Sequence, residues 1–548
     1  MIKKLLFWIV FSLFLNCSLN AQPTGARIVR PKLVVGIVVD QMRWDYLYRY
    51  YDMYSEGGFK RLLKQGFSCE NTYINYLPSY TAVGHSCVYT GSVPSIHGIT
   101  GNDWTEQLTG IHMYCTDDST VTAVGIAAAP DGKMSPRNLL VSTITDELRM
   151  ASNFQSKVVG ISLKDRAAIL PAGHAANAAF WLDDESGKFI TSSYYLKKLP
   201  EEVEKFNREK HIEHYLQGGW NTLYPISSYN ASDSDNKSFE GKLPGESAPV
   251  FPYNIKQSYS VSHGSFRATP FGNSLTLEFA RTVMDAYHLG QGTATDFLTI
   301  NCASTDYVGH TFGPNSVEVE DTYLRLDQDL SAFFDELDRR FGRNEWLVFL
   351  TADHGAAHAV GYSQQNRIPA DFYVTKDILA NLEKIIREKY GLSNVIRSAE
   401  NYQIGFDMEK VAAANSDFDG IKKTTVDYLK RLPGVAYAVD MAKIQEAVIP
   451  EPIRTMMING YNFKRSGQVQ VVFQPAWLES YARTGTTHGT WNPYDTHIPL
   501  IFMGWEIHPG ATASRVNMTD IAPTLATLLH IQPPNGCIGT PIVDLLKR

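Results

Sequence analysis

Residues 32–40 read KLVVGIVVD, an unbroken apolar run closed by an acid, as expected of a strand buried on both faces of a parallel sheet. Four further short apolar runs predict buried strands: KVVGIS at 157–162, FLTIN at 297–301, WLVFLT at 346–351 and IPLIF at 498–502. Between them the period changes from continuous to helical, at 139–150, 274–288 and 317–337, and also just after the first run through Trp44, Leu47, Tyr50 and Tyr51. Strands alternating with helices predict an α/β sandwich whose central sheet is mostly parallel and flanked by helices. Two stretches break the rhythm. Residues 181–265 are polar and rich in Ser, Asn, Gly and Tyr, whereas 383–472 carry helices of their own and a strand-like run at 468–472. Both read as insertions into one catalytic domain over 22–548, forming a cap above its site.

Length and charge narrow the class. A chain of 548 residues with 44% hydrophobic and 20% charged residues is globular rather than disordered. Its net charge of −7 and the lack of a long basic run exclude nucleic acid as a main partner. The N-terminus reads as an export signal over 1–21, with Lys3 and Lys4 before an apolar stretch from Leu5 to Leu15 and a cut after Ala21. Lipidation at Cys17 and a retained anchor are the alternatives. Cleavage takes the charge from −7 to −9 and sends the mature chain across the inner membrane, to the periplasm. Past the signal no run approaches the ~20 apolar residues that span a bilayer. Export permits disulfides, and Cys69, Cys87, Cys115, Cys302 and Cys537 are expected to be buried with one or two bridges among them. Their spacing holds no CxxC pair for a thiolate metal site. Oligomeric state leaves no mark on the sequence.

The chemistry lies where the runs end, which in parallel sheets is where ligands bind. Asp40 closes the first run, Asp306 and His310 follow the third in STDYVGH, and Asp353 and His354 follow the fourth in TADHG. His488 stands in GTTHGT before the last run. Three carboxylates and three imidazoles without a thiolate suit zinc, and six ligands are enough for two ions about 3.5–4 Å apart. His85, His97, His174, His358 and His497 are then left for supporting, packing or surface roles. In LPSYTAVGH, Pro78 ends an extended segment and a helix begins near Thr81, whose hydroxyl would meet the positive end of the helix dipole. Metal coordination could activate it as a nucleophile. Ser79 is the rival hydroxyl.

In this order Asp40, PSYT ending at Thr81, Asp306-x-x-x-His310, Asp353-His354-Gly355 and His488-Gly489 resemble the alkaline phosphatase superfamily. The likeness covers about 32–170, 270–370 and 480–548, including the NMTDIAPTLA segment at 517–526. Within the superfamily the chain is most similar to the phosphate-irrepressible, PafA-type bacterial alkaline phosphatases. The type I phosphodiesterases and nucleotide pyrophosphatases are relatives with the same ligands. The resemblance implies two zinc ions per chain, one on Asp306, His310 and His488 and one on Asp40, Asp353, His354 and Thr81. It also implies hydrolysis of small phosphate monoesters through a phospho-threonine. Lys164 and Arg166, after the 157–162 run, and Asn102 in TGNDW match the residues with which the monoesterase branch holds phosphate. Such cations suit a monoester, which carries more charge than a diester. A phosphodiesterase is the main rival. A sulfatase would need a C/S-x-P-x-R motif that TAVG lacks, and a non-catalytic metal- or phosphate-binding protein would need no Thr81.

Overall fold

The computed structural model describes residues 29–127, 130–479 and 483–547, so the expected export segment lies outside it. Ten strands form the main sheet: β1 (Leu33–Val39), β2 (Phe67–Cys69), β3 (Ala123–Val124), β4 (Val158–Ile161), β5 (Ala178–Asp183), β6 (Lys188–Ser192), β7 (Asp296–Cys302), β8 (Trp346–Thr351), β9 (Leu500–Gly504) and β10 (Gly510–Thr512). Their spatial order is β10-β2-β9-β8-β1-β7-β4-β5-β6-β3. The central five, β8, β1, β7, β4 and β5, are mutually parallel, and every residue in them is buried. That is why their sequences are mostly continuous apolar runs rather than alternating. β9 closes antiparallel on β8. The fold class read from the sequence is the one observed.

Pairing register sets the ends of these strands level. Val39 of β1 lies beside Cys302 of β7, and Val38 beside Thr351 of β8. Neighbouring strands run about 4.8 Å apart, so residues following their carboxyl ends converge. Helices cover the sheet, among them α1 (Thr81–Thr90), α2 (Asp165–Ala172), α3 (Ser304–Phe312), α4 (Val317–Phe341) and α5 (Ile521–Leu528). The helix expected from 139 starts instead at Ile144, where Thr143 and Asp146 form a reciprocal capping box.

The two polar stretches differ from expectation in one respect. Residues 181–265 begin inside the core, because β5 ends at Asp183 and β6 pairs with it, burying Phe189 and Ile190. The turn at 184–187 between those strands, polar in sequence, masked the pattern. Residues 371–479 hold a separate four-stranded sheet, Ile396–Glu400, Gln403–Phe406, Val469–Phe473 and Val435–Asp440 in that order. Its own apolar cluster includes Leu382, Ile386, Phe406, Ile421, Leu429 and Phe473. No bridge joins the five described cysteines, against the one or two expected; four are fully buried and packed as small apolar residues.

Candidate active site

Four adjacent strands, β8, β1, β7 and β4, each deliver polar residues past their carboxyl ends: Asp353 and His354, Asp40, Asp306 and His310, and Lys164 and Arg166. His488 comes from the loop before β9. Two triads result, Asp306–His310–His488 and Asp40–Asp353–His354, and within each the ligand atoms lie within 4.8 Å of one another. The six Asp and His side chains expected as ligands are therefore brought together, in the two groups the resemblance implied.

Each imidazole is held by its Nδ1. His310 Nδ1 pairs with Thr486 O at 2.8 Å, His488 Nδ1 with Ser79 O at 2.7 Å and His354 Nδ1 with Gly355 O at 2.9 Å. A carbonyl only accepts, so Nδ1 carries the proton and Nε2 keeps its lone pair for a metal ion. Burial, with the neighbouring His354 and His310, pushes the His488 pKa well down, and burial also lowers that of His354, so both stay neutral. Two carboxylate oxygens of one triad, Asp40 Oδ1 and Asp353 Oδ2, are buried without a hydrogen-bond partner. A buried unpaired carboxylate oxygen is costly, and a divalent ion would satisfy both. The donor set fits such ions.

Lys164 lies between the triads. Its ammonium donates to Asp40 Oδ2 at 2.9 Å and Asp306 Oδ2 at 2.7 Å, with the side chain fully buried. Burial would lower its pKa, but the Asp306 and Asp40 carboxylates raise it, so it stays charged. Asp40 is pushed up by burial and by Asp353, while Asp306 is pulled down, against its burial, by His310 and Lys164. Arg166 opens α2 at its second residue; its Nη1 donates to Tyr114 Oη at 3.0 Å and its Nε is unpaired. Tyr114 in turn donates to Asp165 at 2.8 Å.

Thr81 is the first residue of α1, 2% exposed, with Oγ1 at 3.5 Å from His354 Nε2. Ser79, the rival hydroxyl, donates to Thr490 O at 3.2 Å. Asn102 accepts a hydrogen bond on Oδ1 from the Ala82 amide of α1 at 3.0 Å, and no described bond uses its NH2 group. α1 approaches β8 closely because residue 84 is glycine: a β-carbon there would collide with Asp353.

Sequence reasoning missed Gln41. Its backbone N–H donates to Asp353 Oδ1 at 3.1 Å and its side-chain amide to Asp306 Oδ1 at 2.7 Å, so one residue braces both triads. Its one local signal is the glycine in Asp306-Tyr-Val-Gly-His310, since a β-carbon on Gly309 would strike Gln41 Oε1. Tyr114, in a short hairpin, left no signal. His85 sits at 2.9 Å from Thr81 O and 3.4 Å from Asp353. His97, His174, His358 and His497 are engaged elsewhere, by Cys87, Asp146, Asn315 and the Glu70 carbonyl.

The family model described as type I phosphodiesterase / nucleotide pyrophosphatase matches residues 34–495. Alkaline phosphatase PafA of Elizabethkingia meningoseptica is 51% identical over 99% of both chains. Alkaline phosphatase PhoV of Synechococcus elongatus is 48% identical over 97% of both. A Myroides odoratus protein named calcium-transporting ATPase is 49% identical over 95% of this chain and 96% of its own. The crystal structure of wild-type PafA superposes with a TM-score of 0.93 at 51% identity, covering 95% of this chain and all of that one. The chain thus belongs to the type I phosphodiesterase / nucleotide pyrophosphatase family, among its PafA-type alkaline phosphatases.

Proposed function

We propose that this phosphatase is exported to the periplasm, holds two zinc ions and hydrolyses small phosphate monoesters through a phosphorylated Thr81. The observation that carries the reading is the pair of triads with Thr81 beside one and Lys164 between both. Asp306, His310 and His488 would hold one ion, and Asp40, Asp353, His354 and the Thr81 oxygen the other. Nitrogen and oxygen donors without thiolate favour zinc. Bound ions supply Lewis-acid charge, which lowers the pKa of a hydroxyl or water and offsets charge on a leaving oxygen.

The chain's own residues do the rest. Thr81 Oγ gives up its proton to water and forms a bond to phosphorus as the ester P–O bond breaks, and the electron pair leaves with the alcohol oxygen, which is protonated from water. Backbone N–H groups and the dipole at the start of α1 favour the negative charge gathered there. Asn102, Lys164 and Arg166 hold the non-bridging oxygens, with Tyr114 aiming the Arg166 fork. Water then forms the second bond to phosphorus, the P–Oγ bond breaks, and Thr81 recovers a proton as inorganic phosphate departs. A diester has one non-bridging charge fewer for these donors to hold, which weighs against the phosphodiesterase reading.

The test is kcat/KM for an aryl phosphate and for its methyl diester, on zinc-loaded protein lacking residues 1–21, with Thr81→Ser and Thr81→Ala beside wild type. The expected result is a strong monoester preference, substantial activity in Thr81→Ser and loss of most activity in Thr81→Ala. Diester preference would turn the reading to phosphodiesterase. Full activity in Thr81→Ala would remove the phospho-threonine.

A further inference from the structure

Among the described residues, the accessory sheet meets the site through a two-residue turn. Glu400 pairs with Gln403, which leaves Asn401 and Tyr402 as the connection, with φ of 57° and 59°. Both residues are thus left-handed, the geometry of a type I′ turn, whose second position ordinarily takes glycine. A bulky residue there costs of order 1–2 kcal/mol. Strain of this kind persists where the surroundings impose it, and each of the two side chains here has a partner at the site.

Asn401 donates through its amide to Asp103 O at 2.7 Å, and a β-carbon on Gly101 would collide with that amide. The contact thus holds the residues on either side of Asn102, whose own carbonyl accepts from Cys115 N at 2.9 Å and whose Oδ1 accepts from Ala82 N at 3.0 Å. Tyr402 donates its hydroxyl to His488 O at 2.9 Å, while the His488 ring is held separately through Ser79 O. Gly489 leaves the room for this, since a β-carbon there would meet the Tyr402 and Tyr80 rings at 2.8 Å. Behind the turn, Val471 N and the Gln470 amide both donate to Tyr402 O, at 2.8 and 3.0 Å.

We propose that the Asn401–Tyr402 turn is a positioning clamp, by which the accessory sheet sets His488 for a metal ion and Asn102 for the phosphoryl group at once. This rests on the reading of the triads and of Asn102 given above. Neither residue touches the reacting atoms; each acts through the main chain of the residue it holds.

The clamp is tested on the full mature chain with Tyr402→Phe, Asn401→Ala and Asn401→Gly. Zinc affinity is measured by competition with a chromogenic chelator, and the Ki of inorganic phosphate at saturating zinc. Tyr402→Phe keeps the ring and loses one hydroxyl, and should weaken one zinc site about ten-fold, as loss of a partner behind a ligand does. Asn401→Ala should leave zinc affinity within about two-fold and raise the phosphate Ki about ten-fold, a range seen on losing a hydrogen bond to a group that aims a ligand. Asn401→Gly relieves the left-handed turn without restoring the amide and should match Asn401→Ala. In an Asn102→Ala background the Asn401 substitutions should do nothing further. Unchanged zinc affinity in Tyr402→Phe would overturn the clamp. So would a wild-type Ki in Asn401→Gly, or a full Asn401 effect in the Asn102→Ala background. Wild-type protein that binds neither zinc nor phosphate would instead overturn the reading beneath the clamp, and the clamp with it.

Discussion

Replacing Lys164 by methionine removes the one positive charge between two buried carboxylates while keeping most of the side-chain volume. Its ammonium lies at 2.9 Å from Asp40 and 2.7 Å from Asp306, one member of each triad, and the side chain is 0% exposed. Breaking a buried pair by removing one partner costs about 3–5 kcal/mol, because the remaining charge is left uncompensated. For a chain this long the entropy of unfolding is about 1.1 kcal/mol per kelvin, at ~2.1 cal/mol/K per residue, so the metal-free variant should melt about 3–5 °C lower. The loss should grow with pH. Asp40 already has a raised pKa, so below it a proton takes over the role of the lysine, and above it both carboxylates face each other charged. Metal ions on the two triads would supply the same charge, so the deficit should shrink below ~1 kcal/mol in zinc-loaded protein, following the linkage of metal binding to folding. The assay is scanning calorimetry of wild type and Lys164→Met between pH 6 and 9, with chelator and with excess zinc. A deficit of equal size in both metal states would refute the reasoning, as would no deficit in metal-free protein.

Three further outcomes follow from other residues. Gly309→Ala improves helix propensity by about 1 kcal/mol but drives a β-carbon into Gln41; denaturant melts should show net destabilisation, relieved in the Gln41→Ala, Gly309→Ala double variant. Tyr114→Phe frees the Arg166 fork and should lower kcat/KM about ten-fold for an aryl monoester while leaving its methyl diester within about three-fold, on the scale of one charged hydrogen bond. His97 is buried with its pKa pushed down to about 3, chiefly by desolvation. The unfolded chain takes up that proton near 6.5, so stability should fall as pH drops from about 6.5 toward 3. The pH slope from denaturant melts should lose about one proton in His97→Gln.

The parallel core was legible because strands buried on both faces are mostly apolar, as β1 is throughout and as β7 and β8 are apart from Asp296, Thr299, Asn301 and Thr351. The six ligands were legible because each stands just past such a run or in a short histidine motif. What sequence could not carry was everything decided by partners distant in the chain. Gln41 looks like any residue in a turn until Asp306 and Asp353 meet it from 265 and 312 residues away. Lys164 reads as a phosphate ligand, and only the fold reveals the two carboxylates that hold it. β6 escaped notice because its sequence KFITS carries only two apolar residues, Phe189 and Ile190, too few to form a continuous run.

The register that levels the strand ends has a kinetic consequence. Neither triad is local: one joins residues 40, 353 and 354, the other 306, 310 and 488. The first needs β1 and β8 paired across about 310 residues, and the second also needs the loop before β9, so both are complete only after the chain has been made through residue 488. Metal capture should therefore be one of the last events of folding, and a bound ion acts as a latch on contacts made late and over long sequence distances. A chelator would then act slowly on folded enzyme yet block maturation of newly made chains outright.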